Sequence, residues 1–102
     1  MIKKVDSIDQ FLKARGQVQA LHKEISALSS KKPDDSINLF KLRFINQILA
    51  EANSTLKKEY IPIKGFQTFE EEKLPSNSDV VLILSQYLAC FTQQDNDEDS
   101  FL

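Results

Sequence analysis

The segment from Val80 to Phe91 constrains this chain more than any other, because Val80, Val81, Leu82, Ile83, Leu84, Tyr87, Leu88, Ala89 and Phe91 leave it almost no polar side. Ser85 and Gln86 interrupt the run, which is far shorter than the roughly 20 residues that cross a bilayer. It reads as a core segment. Ser76-Asn77-Ser78-Asp79, just ahead of it, is a helix start, with Ser76 as cap and Asp79 at the positive end of the helix. The expectation is a helix to about Thr92. The β-branched residues between Val80 and Leu84 make a buried strand the competing reading, and length and the cap favour the helix. A helix apolar around nearly its whole circumference must be enclosed on most sides. A single hairpin covers too little of it, so the Ile61–Phe69 loop, a partner or a second copy must close over the rest.

The hairpin itself is written in the first 60 residues. Ser7-Ile8-Asp9-Gln10 fits the capping box, which predicts a helix starting there. Phe11, Ala14, Val18, Leu21, Ile25 and Leu28 follow at alternating spacings of three and four, the a and d positions of a heptad seam, with Gly16 facing outward. The run is too short for a free coiled coil and suits the inside of a bundle. Ser29 to Ser36 breaks the pattern. Lys31 and Lys32 suit the negative end of the first helix, and Pro33, Asp34 and Asp35 suit the start of a second. From about Asp35 to Glu59 one stripe carries Phe40, Phe44 and Ile48, and its neighbour carries Leu42, Ile45, Leu49, Ala52 and Leu56. Two stripes imply two packing partners for this helix.

Pro62 and Gly65 end the second helix and open a connecting loop over 60–75, apolar for a loop through Ile61, Ile63, Phe66 and Phe69. A short strand at 61–63 or 66–69 is compatible with it. The chain closes on Asp95-Asn96-Asp97-Glu98-Asp99-Ser100-Phe101-Leu102, too acidic to form a core and expected to be disordered. The fold class is therefore mainly α: a helical hairpin plus a third apolar helix, a small three-helix bundle over 1–94, with an acidic tail over 95–102. With 102 residues, two domains do not fit.

Charge is divided along the chain. Residues 1–64 hold 12 Lys+Arg against 7 Asp+Glu, a balance of +5, and residues 65–102 hold 1 against 8, a balance of −7. Either the basic half is a binding surface screened by an acidic tail, or the two halves satisfy one another; the second is the commoner arrangement. The basic surface in question is Lys31, Lys32, Lys41, Arg43, Lys57 and Lys58.

The material for chemistry is thin. One cysteine, Cys90, and one histidine, His22, leave no metal-ligand spacing, and His22 has no orienting carboxylate at helical spacing. Glu70, Glu71, Glu72 and Asp79 lack the loop pattern of a calcium site. No catalytic residue, metal or cofactor is expected, and the chain reads as no enzyme. The two glycines exclude a Gly-rich phosphate loop. Asn53-Ser54-Thr55 matches a glycosylation acceptor only by chance, since it falls within the second helix. Without a leader-like apolar stretch or a second cysteine, the expected compartment is the cytoplasm.

The tail is the sharpest feature. Asp97, Glu98, Asp99 and Phe101 resemble in type the acidic C-terminal tips of bacterial single-stranded-DNA-binding proteins, where aspartates precede a terminal aromatic residue. Here Ser100 replaces the small apolar lead-in and Leu102 is last. Ser100-Phe101-Leu102 also looks like the terminus read by PDZ-type grooves. Either likeness implies a docking peptide of Asp97, Glu98, Asp99, Phe101 and Leu102.

The leading expectation is a small non-enzymatic interaction module: an accessory subunit, adaptor or inhibitor. It would bind another protein or form a homo-oligomer, without a membrane, through Phe66, Phe69, Tyr87 and Phe91 as aromatic anchors. The alternative is a nucleic-acid-associated regulator whose basic hairpin meets phosphates and whose acidic tail competes for it, a reading that the acidic second half and the lack of a recognition motif oppose.

Overall fold

The computed structural model describes residues 2–99, with side chains from 8 to 97. Three helices account for most of it: α1, Ile2–Lys31; α2, Leu39–Thr55; and α3, Asn77–Asp99, with a short 3₁₀ turn at Lys58–Tyr60. The chain is mainly helical, as its periodicity predicts. At about 1.5 Å per residue, α1 alone accounts for the molecule's 45 Å long dimension.

The heptad seam of α1 becomes its buried face. Ala14, Val18, Leu21 and Ile25 are buried, flanked by the partly buried Phe11 and Leu28. This seam packs against both α2 and α3. Leu28 and Lys31 lie beside Lys41, while Gln10 and Ala14 lie beside Ile48 and Glu51, so α1 and α2 run antiparallel. Phe11 meets Phe91 edge-on at 5.2 Å, and the Lys32 carbonyl accepts from Asn77 Nδ2 at 2.7 Å, which makes α3 antiparallel to α1 as well. Hence α2 and α3 are parallel. The connection between them must travel back along the length of α2, which is why it is long and why its apolar residues are used for packing.

Four boundaries differ from expectation. First, α1 is already helical before Ser7, so the Ser7 box does not start it. Second, α2 begins at Leu39, capped by Asn38, whose Oδ1 accepts from the Lys41 N–H at 2.8 Å. The residues before it are extended instead, because their backbone pairs with the entry to α3: Ile37 N–H donates to Pro75 O at 2.9 Å and Asn77 N–H to Asp35 O at 2.9 Å. That pairing sinks Ile37 into the core at 1% exposure. Third, α2 stops at Thr55 rather than Glu59, since Leu56 turns extended and is buried. Fourth, α3 continues past Thr92 to Asp99, so 95–99 are helical rather than disordered. The buried Gln94 accepts from the Lys57 N–H at 2.9 Å, Asp95 pairs with Arg15 at 3.1 Å, and Asp97 accepts from the Tyr60 hydroxyl. Partners for these polar groups offset the poor helix propensity of an acidic run.

The expected start of α3 is present in full. Ser76 Oγ accepts from the Asp79 N–H at 3.1 Å and Asp79 Oδ2 accepts from the Ser76 N–H at 3.3 Å, a reciprocal capping box. Val80, Leu84, Tyr87 and Phe91 form its fully buried stripe. Enclosure is less complete than expected, because Leu82 stays 58% exposed. The loop does close over part of it, with Ile61, Phe66 and Phe69 packed on the core. No strand forms among the described residues, only an isolated bridge between Ser36 and Ser76. Gly65 sits at φ +84°, the left-handed conformation that suits glycine at this turn.

Candidate functional site

The faces of α2 have different surroundings. Leu42, Ile45, Leu49 and Ala52 line the core. A second face holds the returning connection through its side chains. Asn46 holds Phe69 at both backbone atoms, its Nδ2 donating to Phe69 O and its Oδ1 accepting from Phe69 N–H, each at 2.9 Å. Two turns on, Asn53 Nδ2 donates to Gln67 O at 2.9 Å. Arg43 forks onto Glu71 through Nε and Nη2, both at 3.2 Å. Residues 67, 69 and 71 are thus held in succession by Asn53, Asn46 and Arg43, along one side of α2.

The third face is largely open to water. Phe40, Phe44, Gln47 and Glu51 occupy it at spacings of four, three and four, and Phe40 is 83% exposed and Phe44 50%. Beside them a groove of about 270 Å³ lies between α1 and α2, floored by Ala14 and Ile48 and edged by Gln10, Lys13, Gln17, Phe44, Gln47 and Glu51. The two-stripe pattern of α2 is therefore resolved unequally: the Leu42 stripe and Ile48 are buried, while Phe40 and Phe44 face water.

A second depression of about 800 Å³ lies under the connection, lined by Ile61, Ile63 and Phe66 with Lys58 and Lys64 at its edge. Asn53 lines it and also accepts from the buried Tyr87 hydroxyl at 2.6 Å. Burial pushes the Tyr87 phenol above its ordinary value. Cys90 is partly buried, and its thiol is likewise pushed up by burial, which disfavours a reactive thiolate.

The expected aromatic anchors separate into two pairs. Tyr87 and Phe91 are fully buried in the chain's own core and offer nothing to a partner, a correction that follows from α3 turning this stripe toward α1 and α2. Phe66 and Phe69 stay partly buried and meet edge-on at 5.2 Å. The basic series is exposed but split. Lys31, Lys32 and Lys41 lie at the hairpin end, whereas Lys57 and Lys58 lie beyond the other end of α2, about 25 Å away at helical rise. Arg43 between them is taken by Glu71. Arg15–Asp95 and Arg43–Glu71 each join the basic half of the chain to the acidic half. Of the expected docking peptide, Asp97 is bound to Tyr60, Glu98 and Asp99 are in α3, and Phe101 and Leu102 lie outside the described residues.

Sequence reasoning passed over Asn46, Asn53 and Ile37. Asparagines inside a helix at a spacing of seven were the available signal, since such residues disfavour a helix interior unless their side chains are engaged. Among the described residues no three His, Cys, Asp or Glu side chains are placed to hold a metal ion, and no helix is long and apolar enough to cross a membrane. Comparisons with protein-family models, with curated proteins and with solved structures give no match for this chain.

Proposed function

We propose that this chain is a non-enzymatic protein–protein interaction module, an accessory subunit, adaptor or inhibitor, that presents the outer face of α2 to another polypeptide. One observation carries the reading: Phe40 and Phe44 stand exposed, one turn apart, beside a groove, although the chain closes its core without them. Isolated exposed apolar residues are ordinary. Two phenylalanines on one helix face beside a concave site are the anatomy of a contact. We place the protein in the cytoplasm, a setting that suits its single, partly buried thiol.

The test is capture from native lysate with immobilised wild type and the Phe40→Ser/Phe44→Ser variant, both checked for helicity by circular dichroism. Loss of a specific polypeptide from the variant, with helicity unchanged, supports the reading. Identical captured sets overturn it. Repeating the wash at high salt separates the nucleic-acid alternative, because phosphate contacts fall steeply with ionic strength and an apolar contact does not.

A further inference from the structure

The acidic end of the chain, where Phe101 and Leu102 follow Asp97, Glu98 and Asp99, takes no part in the outer face of α2. One short turn fixes where α3 carries it. The buried Gln94 accepts from the Lys57 N–H at 2.9 Å, and Asp97 accepts from the Tyr60 hydroxyl. Lys58 and Ile61 of that same stretch line the depression of about 800 Å³ under the connection, together with Ile63, Lys64 and Phe66. The last described turns of α3 are therefore fastened to the segment that walls this recess.

The recess and the end of the chain match in chemistry. Ile61, Ile63 and Phe66 are only partly buried, which leaves apolar surface against water. Lys58 and Lys64 are exposed beside them and make no ion pair among the described residues, whereas Arg15 and Arg43 are already taken by Asp95 and Glu71. Phe101 and Leu102 supply apolar side chains, and Glu98 and Asp99 just ahead supply negative charge. The reach is sufficient. With 98 and 99 helical, Phe101 is about 10 Å of chain beyond Asp97, and Ile61 directly follows the Tyr60 that Asp97 binds. A recess of about 800 Å³ is of the size that encloses a drug-sized molecule, which is room for two side chains.

We infer that residues 100–102 fold back onto this recess, with Phe101 and Leu102 against Ile61, Ile63 and Phe66, and with Lys58 and Lys64 meeting the acids ahead of them. The occupant is the chain's own end rather than a separate peptide, because α3 holds that end within reach at high effective concentration. The connection is then held by Asn46 and Asn53 of α2 and, in addition, by the end of α3.

The experiment is NMR of the isotope-labelled full chain beside two variants whose helicity is verified, Phe101→Ser/Leu102→Ser and Lys58→Glu/Lys64→Glu. In wild type the Phe101 ring should show cross-relaxation to the Ile61 and Ile63 methyl groups, unchanged on dilution. Amide exchange over 61–68 should accelerate by about fivefold or more in Phe101→Ser/Leu102→Ser, and by about threefold in Lys58→Glu/Lys64→Glu, with the α1–α3 contact as protected as in wild type. A Phe101 ring without cross-relaxation to Ile61, Ile63 or Phe66 overturns the inference. So does a contact that fades on dilution, which would give the recess to a second copy. Equal exchange over 61–68 in wild type and Phe101→Ser/Leu102→Ser overturns it as well. Neither variant alters Phe40 or Phe44, so the docking reading of α2 stands or falls separately.

Discussion

Asn53 joins three parts of the molecule through one amide. Its nitrogen holds the connection at Gln67, and its oxygen accepts from Tyr87 of α3. Replacing Tyr87 with Phe keeps the ring in the core and removes that donor. The expected cost is about 1–2 kcal/mol, the range for a polar group left without its partner, which should lower the melting temperature by several degrees. The same hydroxyl produces a pH dependence. An unfolded tyrosine ionises near pH 10, and burial raises Tyr87 above that in the folded chain. Above pH 10 the unfolded state therefore gives up its proton first and stability falls as pH rises toward the folded value. Urea titrations at stepped alkaline pH should show this decline, and Tyr87→Phe should lack the Tyr87 part of it. A variant whose alkaline profile matches wild type would remove the assignment.

The connection over 56–76 behaves as an element although, beyond the 3₁₀ turn at Lys58–Tyr60, it is no helix or strand. Its return along α2 depends on Asn46, Asn53 and Arg43, and on nothing like a ladder. Asn46→Ala frees both backbone atoms of Phe69. Hydrogen exchange should accelerate at the Phe69 amide and spread through 66–71, with the α1–α3 contact still protected; uniform loss of protection would mean that this segment is part of the cooperative core. The Ile37 segment is the opposite case. Ile37→Ala empties a fully buried site where three segments meet, and a cost of about 2–5 kcal/mol is expected in denaturant unfolding. A cost under about 1 kcal/mol would show that the turn can collapse into the space.

At the scale of the whole molecule, opposite charge in the two halves of the chain is largely an internal matter. Arg15–Asp95 and Arg43–Glu71 span the division, and all four side chains are at least a quarter exposed. Such pairs contribute little and are screened within about 10 Å at ordinary ionic strength. Raising salt from low to about 0.5 M should therefore shift the melting temperature by no more than about 2 °C. A larger fall would show the charge division to be a main source of cohesion. What holds the helices is apolar: Val18, Leu42, Leu49, Leu84, Tyr87 and Phe91 are wholly removed from water around one long α1.

Local chemistry determined the elements. The three-and-four spacing of α1, the reciprocal Ser76–Asp79 cap and the left-handed turn at Gly65 all depend on residues a few positions apart, so they are legible in sequence. Periodicity also grouped Phe40 with Phe44 on one stripe of α2, while Tyr87 and Phe91 belonged to a third helix apolar on nearly every side. Which pair is inside was decided by tertiary structure alone. With α2 and α3 parallel and both reversed against α1, the connection must lie along one edge of α2 and α1 along another. Tyr87 and Phe91 fall between the helices, and Phe40 and Phe44 fall on the edge that neither neighbour covers. A helical period records which residues face the same way; only the placing of whole elements determines what they face.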